Sequence, residues 1–293
     1  MLFFTLLCTG AISAEEFTFQ YQKIVEITEP IELDLTMATG KVFVNGSAGD
    51  QLIVEAVKRV RAVDREEAEE VADHIEIRVD QDGSAISVKT NYLKLGARRK
   101  SFWNKLFGGG EDSYGDVDYY LTLPATRSLS IKAMSAEIDV ANVEAAIEIE
   151  NASGHTHAEF LLGPITVRQP TGPIELQWVE GDVRVHSSSG RISITQMRGS
   201  LDLVSRTGDV FVKTELDSPR DFFVETETGH IEVVVPEMAS GTLQINTEAG
   251  EISTEVPIAI VSNARHSLVG EFGTGGPRIT LTSLSGDVTV AQY

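Results

Sequence analysis

From Ala136 to Val212, apolar and polar side chains alternate in short bursts that recur every nine residues. Each burst starts at a glycine-type position: Ala136, Ala145, Gly154, Gly163, Gly172, Gly181, Gly190, Gly199 and Gly208. Branched apolar residues follow at plus two and plus four, as in Ile138/Val140, Ile147/Ile149, Ile165/Val167, Ile174/Leu176, Val183/Val185, Ile192/Ile194, Leu201/Leu203 and Val210/Val212. An apolar-polar-apolar triplet places both apolar side chains on one face of a strand. A glycine before it supplies the freedom a corner needs. Nine residues hold one short strand and one tight turn, with no room for a helix.

The residues around the glycine show that the true period is eighteen. Ser or Thr precedes it at Ser135, Ser153, Thr171, Ser189 and Thr207. The alternate arms instead carry an apolar residue two positions before it: Val143, Leu161, Val179 and Met197. Two unlike arms folded back to back make one rung. Stacked rungs pair each strand with its equivalent above, which is a β-solenoid. The expected fold is all-β: a single-stranded right-handed β-helix with rungs of about 18–21 residues and one short helix near the N-terminus.

The pattern continues with longer rungs at Gly208, Gly229 and Gly250, spaced by twenty-one, and reaches Gly286 thirty-six residues later, read as two rungs of eighteen. An early copy stands at Thr39-Gly40-Lys41-Val42-Phe43-Val44. The unit headed by Gly154 is the weakest, because Thr156 and Ala158 replace the large apolar pair; Phe160 and Leu161 are expected to fill that gap.

Residues 15–132 read as irregular N-terminal rungs. Candidate strands are Phe17–Tyr21, Lys23–Ile27, Ile31–Leu35, Lys41–Val44, Gln51–Arg61, Ile75–Val79, Ala85–Thr90, Val117–Leu123 and Leu129–Lys132. Asp64 is a cap residue followed by Glu66 and Glu67, and Ala68, Val71 and Ala72 form an apolar stripe, so 64–73 reads as a helix. It is expected to cover an end of the solenoid, where open strand edges invite aggregation. The regular repeats, 133–293, complete one solenoid domain.

Met1 to Ala14 is an apolar run ending in small residues, read as the end of a secretory signal peptide cleaved after Ala14. The usual positive n-region is missing, which fits a true start upstream of Met1. Cys8 is the single cysteine, and Leu7 before it is too large for a lipid-modified cysteine. Cleavage would leave a mature chain without thiol chemistry. The expected location is exported: periplasmic, cell surface or secreted. The chain of 293 residues is 42% hydrophobic, enough for a sizeable core. Its net charge of −20 disfavours nucleic acid as a partner.

Residues 93–116 oppose that charge. Lys94, Arg98, Arg99, Lys100 and Lys105 surround Phe102, Trp103, Leu106 and Phe107, with no strand alternation. Basic and aromatic residues together suit a membrane surface or a partner, so Arg98 through Phe107 form the candidate contact site. The competing reading is an insertion that tucks its rings onto the solenoid.

Catalytic and metal signals are weak. His155 and His157 should point outward beside Asp139 and Glu175, two histidines without a fixed third ligand. Asp182, Asp209 and Asp287 each follow a glycine and are expected to bond turn backbone rather than calcium. Nucleophile-elbow, zinc-helix and phosphate-loop motifs are absent. No enzyme activity, cofactor or metal is expected.

The Thr39–Val44 copy, the early helix, Tyr120-Leu121-Thr122-Leu123-Pro124 before the repeats, and the recurring Ser/Thr-Gly-x-Val/Ile-x-Val resemble a bacterial extracytoplasmic group, the putative-adhesin family. The likeness covers Phe17 to Tyr293. It implies a β-solenoid domain of unknown function without established catalytic residues, in an exported or membrane-associated setting. The implied role is a binding or scaffold module of the cell envelope, with an envelope surface, glycan or protein as partner. The alternatives are an envelope-stress regulatory component and a polysaccharide-active β-helix enzyme.

Overall fold

Each triplet of the repeat is a strand with its apolar pair turned inward, in a computed structural model that describes residues 14–93, 115–217 and 219–293. Two arms joined by a corner make a rung, and like arms stack in parallel register. One column runs Ile165, Val183, Leu201, Phe222, Ile279 and Leu243. The opposite column runs Ile138, Thr156, Ile174, Ile192, Val210, Ile231, Val288 and Ile252. Between them lies a thin, mainly apolar core that also holds buried polar side chains such as Asn151, Gln169 and Thr226.

In spatial order, rung one is Ala85–Tyr92 with Asp116–Leu123. Rungs two and three are the bent strands Ile31–Gly46 and Thr126–Ala141. Rung four is Ala146–Asn151 with Gly154–Leu162, and rung five is Ile165–Thr171 with Ile174–Glu180. Rung six is Val183–Ser189 with Ile192–Arg198, and rung seven is Leu201–Thr207 with Val210–Thr214. Rung eight is Phe222–Thr228 with Ile231–Val235, rung nine is Arg278–Ser285 with Val288–Gln292, and rung ten is Gly241–Ala249 with Ile252–Thr254.

The last two rungs correct the linear reading of the sequence. Gly286 does not continue the stack beyond Gly250. Rung nine slots between rungs eight and ten, so the chain builds rung ten first and then returns. The glycine column tolerates this because each corner packs the same way on either neighbour. A β-carbon on Gly286 would meet the Gly229 carbonyl oxygen at 2.0 Å, and one on Gly250 would meet that of Gly286 at 2.1 Å.

Both ends are closed by antiparallel strands. Ile75–Asp82 pairs with rung one, as does Gln51–Ala62, on which Glu15–Glu26 lies. The helix Arg65–Asp73 covers this end with Ala68, Val71 and Ala72 buried, and Asp64 caps it by accepting the Glu67 N–H. At the other end Ser267–Phe272 pairs with Gly241–Ala249 and carries Ala259–Ala264. Sequence reasoning splits Ile31–Leu35 from Lys41–Val44. The structure joins them across Gly40, whose φ of +131° turns the corner.

The corners follow the expected chemistry. Gly172, Gly190 and Gly208 have φ of +110°, +133° and +125°. The carboxylates of Asp182, Asp209 and Asp287 accept the backbone N–H of Ser200, His230 and Glu251 on the next rung, at 2.9, 3.1 and 2.9 Å. Buried amides do related work from inside. Gln169 Nε2 donates to the Gly154 and Pro173 carbonyls, and Gln196 Nε2 to those of Gly181 and Ser200.

Two inward assignments change. Thr156 and Ala158 are themselves buried, and the Thr156 hydroxyl donates to Gln169 Oε1 at 2.6 Å. Leu161 fills space beside them as expected, but Phe160 points outward. Met197 is only half-buried, because rung six places its extra corner residue after the inward position rather than before it, and Gln196 turns inward opposite Val179.

Candidate functional site

The contact residues singled out from the sequence, Arg98, Arg99, Lys100, Phe102, Trp103, Lys105, Leu106 and Phe107, lie outside the described residues, as does the apolar run 1–13. The residues flanking that segment are held firmly. Tyr92 donates its hydroxyl to the Gly115 carbonyl at 3.1 Å, and burial pushes its phenol up to about 12. The Tyr119 hydroxyl lies 2.6 Å from Thr90 Oγ1, and burial raises it as well.

The histidines stand where the alternation places them. His157 pairs in register with Asp139 on one side and Glu175 on the other. Its Nδ1 is 3.6 Å from a Glu175 carboxylate oxygen. Burial raises the Asp139 carboxyl, with His157 pulling against it. Among the described residues no group of three His, Cys, Asp or Glu side chains could hold a metal ion.

The surface feature that sequence reasoning missed lies at the far corner of rungs three to five. Asn142, Phe160 and Trp178 occupy one column, eighteen residues apart, and all three adopt left-handed backbone, with φ of +57°, +54° and +55°. Asn enters this region readily, but Phe and Trp do so at a cost of about 1–2 kcal/mol each. Their rings are nonetheless turned to solvent, 53% and 47% exposed. The rings lie nearly parallel, 5° apart in plane, with centroids 6.4 Å apart.

The local cause is where the corner places its irregular residue: before inward Val179 in rung five, after inward Gln196 in rung six. Rung five needs three steps from inward Leu176 to inward Val179, whereas rung six needs two from Ile194 to Gln196. The solenoid therefore does not require the left-handed corner, and the column of rings ends at Trp178. The signal was present as an eighteen-residue spacing of Asn142, Phe160 and Trp178. Alternation alone assigns residue 160 the wrong way round, because a left-handed residue resets which neighbours face inward.

The surroundings are polar. Leu162, also exposed, sits between Glu144 and Glu180 in the adjoining column. On the other side Glu159 pairs with Gln177, whose amide donates to Glu175 at 2.6 Å. Asn142 Nδ2 donates to Asn45 Oδ1 at 2.9 Å. At the Asn142 end the column opens into a cleft of about 570 Å³ lined by Asn142, Glu144, Ser47, Leu123, Pro124 and Thr126, among others. Exposed apolar area set beside amides and carboxylates, and leading into a cleft, is a surface for binding.

The family model described as Toastrack DUF4097 matches residues 32–291. Solved structures similar to this chain include a putative adhesin from Bacteroides fragilis NCTC 9343, at 11% identity and a TM-score of 0.44, covering 94% of this chain and 97% of that one. A putative cell adhesion protein from Clostridium sporogenes ATCC 15579 aligns at 11% identity and a TM-score of 0.26, covering 94% and 100%. A putative lipid binding protein from Parabacteroides distasonis ATCC 8503 aligns at 9% identity and a TM-score of 0.26, covering 94% and 96%. No curated protein matches the chain.

Proposed function

The chain belongs to the Toastrack DUF4097 family, and from that premise we propose that it is an adhesin-like, non-enzymatic binding module of the bacterial cell envelope. The reading includes export, with 1–14 as signal peptide and the mature chain in the periplasm or at the cell surface. Among the described residues no helix is long and apolar enough to cross a membrane.

One observation carries the reading: Phe160 and Trp178 are held outward on left-handed backbone that the next rung does without. The left-handed corner turns Leu161 and Val179 inward, but that needs no ring at the corner itself, since Asn142 does the same for Val143; exposed Phe160 and Trp178 add cost without adding to the core. Strain of this kind points to a binding role. The solenoid supplies a rigid base, since the rungs beneath are paired on both sides. The segment with Arg98, Arg99, Lys100, Phe102, Trp103, Lys105, Leu106 and Phe107 is proposed as a second contact element, toward an anionic membrane surface or a protein.

The test is co-sedimentation of the mature protein with envelope fragments, comparing wild type with Phe160→Asn/Trp178→Asn. Asparagine keeps the left-handed backbone, as at Asn142, and removes the rings. Retention that falls in the variant supports the reading. Equal retention, or none in the wild type, overturns it.

A further inference from the structure

We infer that the Asn142–Phe160–Trp178 column binds an uncharged glycan chain, laid along the solenoid axis and running into the cleft at Asn142 and Glu144. The inference rests on the binding reading above and names its ligand class. Three observations converge on it. The first is the shape of the apolar surface. Two exposed, near-parallel rings with centroids 6.4 Å apart form an apolar strip along the axis. Pyranose rings carry patches of C–H bonds that pack on aromatic surfaces, while their hydroxyls lie at the rim.

The second observation is the rim itself. Glu144 and Glu180 border the column on one side; Glu159 and Gln177 border it on the other. Carboxylates and amides accept and bridge the paired hydroxyls of a sugar, and each leaves lone pairs free here because the side chains are at the surface. A purely apolar partner would leave these groups facing an apolar surface, at a cost.

The third observation is charge. No lysine or arginine stands in the column or its two flanking columns on rungs three to five. A chain of net charge −20 with four glutamates around the rings, Glu175 included, repels uronic acids, phosphates and sulfates. The basic side chain next along is Arg198, in register with Glu180 on rung six and already paired to Asp217 at 3.4 Å. Direction follows from the ends. Beyond Trp178 the next rung has no residue at this position, so the column is open there. At Asn142 it meets the cleft, whose volume is within the range of small-molecule sites.

The experiment uses the full mature chain in a Trp103→Phe background, so that Trp178 is the reporter. A glycan array carrying neutral hexose and N-acetylhexosamine oligomers beside uronic-acid oligomers gives the candidate, and titration of Trp178 fluorescence gives its affinity. Expected are retention of neutral oligomers alone, binding indifferent to salt, and a loss of about tenfold or more in Phe160→Asn, which removes one stacking ring while the reporter stays. Circular dichroism melts confirm that the variant is folded. Failure of every neutral oligomer, equal binding of uronic-acid oligomers, or undiminished binding by a folded Phe160→Asn overturns the inference. The co-sedimentation test separates the two levels: ring-dependent retention on envelope fragments without glycan binding leaves a binding module whose ligand is not a neutral glycan. Loss of both removes the module reading as well.

Discussion

Asp287 accepts the backbone N–H of Glu251 at 2.9 Å, although Glu251 lies thirty-six positions earlier in the chain. Elsewhere the same corner bond runs forward in sequence, from Asp182 to Ser200 and from Asp209 to His230. All three bonds run the same way along the stack, toward the terminal rung ten. Only the sequence order reverses. Rung nine is thus an insertion between two rungs already made, and the solenoid end is closed by the chain doubling back rather than by simply stopping.

An inserted rung should be indispensable, whereas a terminal one could be peeled away. Removing residues 278–293 would leave rungs eight and ten facing each other without a shared ladder. The expected outcome is loss of protection throughout 236–277, read by hydrogen exchange and limited proteolysis. In the intact protein, amides of Ile279 to Leu281 should exchange more slowly than those of the edge strand Ala259–Ala264. A truncated chain that keeps its 241–272 protection would contradict this account.

Asp182 predicts a pH dependence. Burial works to raise its carboxyl, but the Ser200 N–H and hydroxyl and the Arg220 guanidinium outweigh it, so the value lies below the usual carboxylate range. A depressed folded value stabilises fully above the unfolded value, about 3.9, and the contribution is lost as pH falls through the folded value. Asp182→Asn should therefore be less stable than wild type at neutral pH, by about 1 kcal/mol after allowance for solvent screening. The gap should begin to narrow near about pH 4 and close only below the folded value. Urea midpoints at neutral and acid pH measure it, and a gap that is constant across that range counts against the assignment.

The period made the stack legible because each rung repeats one chemical solution: a glycine corner, an inward pair, and a hydroxyl or carboxylate on the neighbour's backbone. Thr207 Oγ1, for instance, donates to the Ser188 carbonyl at 3.0 Å. Chain order at the C-terminal end was not legible, since Gly286 fits the glycine column from either side. The binding column was hidden for a different reason. Period-two reasoning assumes extended backbone, and the left-handed Phe160 and Trp178 break that assumption at the residues that matter.

Ile192 tests the inward register. It is fully buried, between Ile174 and Val210 in its column. Ile192→Asp would place a carboxylate in a core a few side chains thick and should cost several kcal/mol, on the order of 3–5. A melting temperature like that of the parent would mean that the arm can flip its face.

Gly190 tests the corner. Its φ is +133°, and a β-carbon there would stand 2.1 Å from the Gly172 carbonyl oxygen on the rung below. Gly190→Ala therefore meets two penalties, one conformational and one steric. Backbone cannot swing away here, because Gly190 N donates to the Thr207 carbonyl on one side and Gly172 N to the Ser189 carbonyl on the other. Gly83 is the unhindered comparison. It has φ of +61° with nothing within 4 Å of a would-be β-carbon. Gly83→Ala should cost only the conformational part, about 1 kcal/mol. Gly190→Ala should cost about 3 kcal/mol or more, the excess combining overpacking against hydrogen-bonded backbone with a φ outside the left-handed well that Gly83 occupies. Denaturant midpoints of the two variants give the comparison. Equal losses would show that the column selects glycine for its backbone freedom alone and that adjacent corners have room to spare.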